Sequence, residues 1–122
     1  MPFEVFSTIS GSVQNAAWSD VEKALATLPG EEGADFELRI VPEPEQGPLS
    51  FSVQSENDYY KPAMSLSDDI KELVNPDFAD KEWIPLGGYD CEPMSLTRDF
   101  DLIVSMVKEF YETGNCTSEL LK

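Results

Sequence analysis

The sequence has no histidine and few basic residues. It contains 8 Lys and Arg against 24 Asp and Glu, which gives a formal net charge of -16 over 122 residues. Histidine is the usual general base near neutral pH and a common zinc ligand, so its absence excludes Ser-His-Asp or Cys-His catalysis within this chain. Phosphate backbones and anionic lipid surfaces are bound through clusters of Lys and Arg. We therefore expect neither direct nucleic-acid binding nor binding to a membrane.

Long apolar runs and paired cysteines are scarce as well. No segment approaches the roughly 18 apolar residues of a membrane-spanning helix, and the first ten residues lack the basic region of a secretory signal. We therefore expect a cytoplasmic protein in which Cys91 and Cys116 are free thiols. Without histidine or a CxxC pair these cysteines do not make a zinc site, and we expect no metal and no cofactor.

Motifs of enzymes are also missing. There is no calcium-loop series and no phosphate-binding loop, and the Gly87-Gly88 pair lacks the following helix that a phosphate site requires. Asp68, Asp69 and Glu72 could bind a metal ion weakly, but the helix dipole alone explains acidic residues at a helix start. We expect a protein that is not an enzyme. A small hydrolase or metal-dependent enzyme that uses carboxylates remains a third alternative.

The apolar content is sufficient for one folded domain. Hydrophobic residues make up 41% of the chain, which has 7 Phe, 4 Tyr and 2 Trp, too many for a disordered acidic tail. A chain of this length buries roughly two thirds of the surface that it exposes when unfolded. We expect residues 1–122 to form a single domain.

Alternating apolar and polar residues predict most of the strands. The predicted strands are 3–10, 35–41, 49–54 and 59–66. Segment 42–48 is an exposed connection because it is rich in proline, and Pro62 lacks a donor N–H, which places the fourth strand at a sheet edge. A hairpin is predicted at 83–94, around Gly87-Gly88.

Two helices are predicted from apolar residues at helical spacing. The first covers 20–28, and Ser19 and Glu22 have the spacing of a capping box at its start. The second covers 98–113 and ends at Gly114. The order of these elements favours an α+β fold in which a mainly antiparallel sheet packs against two helices.

The remaining segments give weaker signals. Residues 11–15 are predicted as a turn, and 67–74 as a short turn of helix with acidic residues at its start. Trp18 and Trp83 are both predicted to pack in the core.

The negative charge is unevenly distributed along the chain. Three quarters of the excess lies in residues 31–92, where tyrosines and a tryptophan alternate with acidic residues. Carboxylates attract the Lys and Arg of a partner, and Tyr and Trp supply contact area at low entropic cost. We predict a surface that binds a basic protein, against the alternative of a solvated face that only aids solubility. The predicted partner-binding residues are Asp68, Asp69, Glu72, Asp77, Asp80, Glu82, Tyr59 and Tyr60.

Two stretches of the chain resemble a known group of proteins. They are the C-terminal residues Thr97–Val104, Lys108–Asn115 and Ser118–Leu121, and the earlier Trp18–Glu22 followed by Ala24-Leu25. The most distinctive piece is Glu109-Phe110-Tyr111-Glu112-Thr113-Gly114. Together these stretches resemble small bacterial immunity proteins of polymorphic and contact-dependent growth inhibition toxin systems. The likeness covers about a third of the chain and transfers no binding residue.

The resemblance implies a small cytoplasmic inhibitor with an α+β fold. Its partner would be the C-terminal domain of a cognate toxin, expected to be basic because many such toxins act on nucleic acid. An acidic surface could then occupy the Lys and Arg of the toxin that otherwise bind phosphate. The alternative is an acidic nucleic-acid mimic or adaptor that regulates a basic nucleic-acid-binding protein of the host.

Overall fold

The computed structural model describes residues 2–31, 33–78, 81–86 and 88–122. The strands are β1 Phe3–Ser7, β2 Gly11–Val13, β3 Ala34–Ile40, β4 Pro48–Glu56, β5 Tyr59–Leu66, β6 Ile70–Glu72, β7 Ile84–Leu86 and β8 Tyr89–Cys91. The helices are α1 Trp18–Leu25 and α2 Phe100–Thr113, with 3-10 turns at Pro76–Phe78 and Pro93–Ser95. None of the described helices is long and apolar enough to cross a membrane.

Six of the strands form one antiparallel sheet in the order β2-β1-β3-β4-β5-β6, while β7 and β8 pair as a separate hairpin. Strand β3 pairs with β1 on one side and with β4 on the other. The β4–β5 hairpin turns at Asn57-Asp58, where both residues have positive φ angles of 52° and 62°, as a two-residue hairpin turn requires. The predicted α+β fold with a mainly antiparallel sheet and two helices is confirmed.

Both helices pack on one side of the six-stranded sheet, which we call the first face. Its buried residues are Phe3, Val5, Phe36, Leu38, Phe51, Val53 and Met64. The ring of Phe110 in α2 lies 5.9 Å from the ring of Phe3 and 5.9 Å from that of Phe51. Helix α1 contributes Val21, Ala24 and Leu25 to the same core. Burial of this amphipathic surface is the main source of stability in such a fold.

A second, smaller core lies beside the sheet. Leu86 and Cys91 of the β7–β8 hairpin pack with Leu96, and Tyr59, Phe78 and Ile84 cover them. The segment that carries Leu96 is attached to the sheet because Thr97 exchanges backbone hydrogen bonds with Tyr60, at 2.7 and 2.9 Å. The hairpin is thereby fixed beside β5, on the side that faces away from β4.

Several sequence predictions need correction at the sheet edges. The predicted turn 11–15 is wrong, because 11–13 pair with β1 as strand β2. The first strand ends at Ser7, whose hydroxyl accepts hydrogen bonds from the Ile9 and Ser10 N–H groups and so starts the turn there. The predicted helical turn at 67–74 is also wrong, because β6 forms there and pairs with β5. Strand β5 is therefore not the edge strand.

The start of α1 also differs from the prediction. The helix begins at Trp18, and the Asp20 carboxylate accepts a hydrogen bond from the Ala17 N–H at 2.8 Å. The predicted capping box at Ser19 is therefore wrong, since an earlier residue occupies the cap position. For α2 the predicted end is confirmed, because Gly114 follows the helix with a φ of 77°, a conformation that glycine adopts without steric cost.

Candidate partner-binding surface

The side of the sheet opposite the helices, which we call the second face, is polar. Strand alternation places on it Glu4, Phe6, Asp35, Glu37, Arg39, Ser50, Ser52, Gln54, Lys61, Ala63, Ser65, Ile70 and Glu72. All of these except Ser50 are exposed or half-buried. The small side chains in the middle of this set leave a shallow depression of about 350 Å³, lined in part by Phe6, Asp35 and Gln54. Acidic residues outnumber basic ones on this face.

The charges of the second face are only partly neutralised. The Arg39 guanidinium donates a hydrogen bond to the Glu4 carboxylate and lies 3.9 Å from that of Glu37. The hydrogen bond to Glu4 is the main cause of the raised pKa of Arg39. Asp35 and Glu72 take part in no ion pair within the described residues. The second face thus retains free negative charge.

A second exposed acidic area lies on the β7–β8 hairpin. We call it the hairpin surface, and it comprises Glu82, Trp83, Pro85, Tyr89, Asp90 and Glu92. Trp83 is 64% exposed and Tyr89 is 79% exposed. The pairing of Ile84 with Cys91 turns these two side chains toward the second core, so Trp83 and Pro85 alternate outward.

The two acidic areas adjoin each other. Tyr59 has the same orientation along β5 as Lys61, which lies on the second face. Its ring packs edge-on against Phe78 at 6.2 Å, and the Arg98 guanidinium lies 4.9 Å from its centre. Because Tyr59 also covers the second core, the hairpin lies at the end of the second face. A partner could contact both areas at once.

Comparison with known proteins places this fold in a family. A family of unknown function, DUF6911, matches residues 4–120. The chain belongs to DUF6911. The match spans both helices, the sheet and the hairpin surface.

The DUF6911 chain also resembles a solved structure. The crystal structure of a hypothetical protein from Neisseria gonorrhoeae superimposes with a TM-score of 0.68 at 20% sequence identity, covering 99% of this chain and 92% of that chain. At this identity the likeness shows the fold alone. None of the curated proteins compared matches the chain.

The acidic residues predicted to bind a partner lie at several places in the DUF6911 chain. Asp68 and Asp69 are exposed in the turn before β6, and Glu72 is exposed at the end of that strand. Asp77 is exposed in the 3-10 turn, and Glu82 belongs to the hairpin surface. Asp80 lies outside the described residues.

The two tyrosines predicted to bind a partner occupy different environments. Tyr60 is 2% exposed and packs against Phe100 at 5.5 Å, so it belongs to the core, and its inclusion in the binding surface was wrong. Burial is the main cause of the raised pKa of its hydroxyl, with a further contribution from Asp58. Tyr59 is half-buried and supports the hairpin instead of presenting a free ring. Strand alternation separates these two neighbours.

The structure adds residues that were not predicted as partner-binding. Trp83, Asp90 and Glu92 are exposed on the outward side of the hairpin, and Tyr89, which pairs with Leu86, is exposed on its other side. The prediction that Trp83 packs in the core is wrong. Ile84 and Leu86 are apolar at alternate positions, and this signal already indicated that Trp83 points to the opposite side.

Most carboxylates of the described surface have no ion-pair partner within the described residues. Among the described residues no three Cys, Asp or Glu side chains converge in a way that could hold a metal ion. The described ion pairs are Arg39 with Glu4 and Glu37, and Lys108 with Glu112 at 4.0 Å. The carboxylates of the hairpin surface are therefore free to pair with the cations of another molecule.

Proposed function

We propose that this DUF6911 protein is an immunity protein of the cytoplasm that binds the basic C-terminal domain of a cognate toxin. One observation carries the proposal. Two large aromatic side chains, Trp83 and Tyr89, are exposed on a hairpin among carboxylates that form no described ion pair. Tryptophan and tyrosine are enriched at protein interfaces, where each supplies a large contact area.

The hairpin surface combines the two features that a tight, fast-forming complex needs. Exposed tryptophan and tyrosine are enriched among the residues that dominate binding energy. Carboxylates around them attract a basic partner over long distances and raise the association rate. The depression on the second face, with Asp35 at its border, extends the acidic area in the same direction.

The same charge pattern supplies a mechanism of inhibition. A nuclease binds the phosphate backbone through Lys and Arg in its cleft. An acidic surface that contacts these side chains blocks the cleft sterically and competes with phosphate for the same cations. The DUF6911 chain needs no catalytic group for this activity.

The resemblance to immunity proteins is consistent with this arrangement. The residues that carry it lie in α1, α2 and the C-terminal segment. The two helices pack on the first face, away from the hairpin surface. A scaffold shared by inhibitors of different toxins would be expected to leave its contact surface free to vary.

The test is binding to the C-terminal domain of the protein encoded directly upstream. We expect nanomolar or tighter affinity and an association rate that falls steeply between 50 and about 300 mM salt, because screening shortens the range of attraction. Trp83→Ala should weaken binding by about 30-fold or more, as expected for a central aromatic residue. The control Val41→Ala removes another exposed apolar side chain and should change affinity by less than about threefold.

Two results would contradict the proposal. One is an association rate that does not depend on salt, together with an unaffected Trp83→Ala variant. The other is capture of the same host nucleic-acid-binding protein from cells that lack the upstream gene, which would identify a nucleic-acid mimic instead.

A further inference from the structure

The longest uncharged part of this acidic chain coincides with one edge of its sheet. Residues 5–19 contain no Asp, Glu, Lys or Arg, and β2 lies in the middle of them. Exposed edge strands are normally protected from pairing by short length, charge, proline or a covering segment, and within the described residues β2 has only the first of these. Strand β2 has neither a charge nor a proline, and all three of its residues are exposed.

The hydrogen-bond pattern shows which backbone groups β2 exposes. The Thr8 N–H donates to the Asp35 carbonyl and the Val41 N–H to the Pro2 carbonyl, both at 3.1 Å. The backbone N–H and C=O groups of even-numbered residues in and next to β1 therefore point toward β3. The backbone N–H and C=O groups of odd-numbered residues of β1 therefore point toward β2, where Val5 pairs with Val13 and Ser7 with Gly11. The N–H and C=O of Ser12 point away from the sheet. They form no hydrogen bond within the described residues.

The opposite edge of the sheet is closed. The Ile70 N–H of β6 donates to the carboxylate of the preceding Asp69 at 2.7 Å. Glu72 exchanges backbone hydrogen bonds with Lys122 at 2.9 and 3.3 Å, so the C-terminal residues cover the rest of β6. A strand from another molecule finds free backbone groups at Ser12 of β2, whereas on β6 the Ile70 N–H and both backbone groups of Glu72 are already bonded.

We propose that β2 pairs antiparallel with β2 of a second copy of this chain, so that two six-stranded sheets join across a two-fold axis at Ser12. The two Ser12 residues then exchange both backbone hydrogen bonds, and Gly11 lies opposite Val13 of the second copy. Such pairing places no like charges opposite each other, although each copy carries a net charge of -16. The exposed side chains of Phe6, Ile9 and Val13 flank this edge and lose apolar surface to water when it is covered.

The uncharged edge favours a second copy over a basic partner. A cationic protein gains nothing from a neutral strand, and the acidic areas that would attract it lie elsewhere on the molecule. Two copies of this chain repel each other least where neither carries charge. The dimer edge and the hairpin surface are therefore separate, and of the described residues Phe6 alone borders both the edge and the depression on the second face. The two associations respond to salt in opposite directions.

The test is sedimentation equilibrium of the isolated chain from about 10 µM to 1 mM, a range suited to a small interface. We expect a monomer–dimer equilibrium between 13.6 kDa and twice that mass, with dimerisation that strengthens as salt screens the repulsion. Ser12→Pro removes the exposed N–H without breaking the pairing with β1, and should weaken dimerisation by about tenfold or more. Ser12→Glu places two carboxylates opposite each other and should have a similar effect.

Ser12→Thr is the matched control, because it keeps the N–H and adds no charge, and it should dimerise like the unchanged chain. Circular dichroism checks that each variant is folded. If Ser12→Pro does not fold, Ser12→Glu still tests the proposal. A chain that stays monomeric at all these concentrations and at 0.5 M salt would overturn the proposal. So would a dimer that Ser12→Pro and Ser12→Glu leave unchanged. Neither result bears on toxin binding, which the upstream domain tests separately.

Discussion

The two faces of the sheet are built from the same strands but have opposite properties. In β3, Phe36 and Leu38 are buried on the first face, while Glu37 and Arg39 point to the second. The first face has two helices packed on it, and the second adjoins an acidic hairpin. Stability is therefore concentrated on one side of the molecule, and self-repulsion on the other. The effect of a substitution on unfolding should depend on which side it changes.

The largest difference is expected from truncating a phenylalanine on each side. Phe110→Ala removes the ring that packs against Phe3 and Phe51 and should lower the free energy of unfolding by about 3–5 kcal/mol. Phe6→Ala removes an exposed ring from the second face and should change it by less than about 0.5–1 kcal/mol. Urea denaturation of both variants measures the two values. Equal losses would show that the second face is packed in solution.

A smaller difference is expected between two aspartates. The Asp99 carboxylate accepts a hydrogen bond from the Leu102 N–H at 3.1 Å and caps α2, so Asp99→Ala should cost about 1 kcal/mol. Asp68 is exposed in the turn before β6. Asp68→Ala relieves repulsion and should leave stability unchanged or raise it by up to about 0.5 kcal/mol. Thermal unfolding at low salt measures both, and equal destabilisation would contradict the contrast.

The sequence predicts the first face well, because burial imposes a regular pattern there. Strands β3 and β4 and helix α2 each bury apolar residues at a fixed spacing, and these were predicted with nearly correct bounds. Gly114 marks the end of α2 for a local steric reason, which is also visible in the sequence. Long elements with one buried side leave little ambiguity.

The edges were not predicted, because each edge strand is too short to show a periodic pattern and is defined only by pairing with the strand before it. Strands β2 and β6 have three residues each, and none of these residues is buried. Nothing in 11–15 indicates the pairing with β1. In 67–74, acidic residues suggested a helix start, whereas Asp69 in fact bonds the Ile70 N–H of a strand. Local sequence cannot distinguish these two uses of a carboxylate.

The candidate surface was predicted in composition but not in geometry. The acidic region between 31 and 92 does contain the hairpin surface and part of the second face. Tyr60 and Trp83 were assigned to the wrong environments, because a core position and a surface position differ by a single residue in a strand. The second core, which fixes the hairpin, joins residues from four separate segments and leaves no local pattern.

The smallest predicted effect concerns a carboxylate on the helix side and its dependence on pH. Glu109 accepts hydrogen bonds from the hydroxyl and the N–H of Thr117, at 2.7 and 3.0 Å. The bond from the hydroxyl is the main reason that the pKa of Glu109 is lowered. A carboxyl with a lowered pKa in the folded state stabilises the fold above its unfolded pKa, and this contribution is lost as pH falls through the folded value.

Glu109→Gln should therefore be less stable than the unchanged chain at pH 7, by less than Asp99→Ala costs, with the difference closing as pH falls below the ordinary value of 4.5. Glu72→Gln on the second face is the control, because Glu72 is exposed and its side chain accepts no described hydrogen bond. That variant should be as stable as the unchanged chain at pH 7, or more stable, since it removes one charge from the repelling side. Urea midpoints at pH 7 and pH 4 compare the two variants. If both lose the same stability at pH 7, the negative charge acts uniformly over the molecule, and the two faces do not differ in the way that their packing indicates.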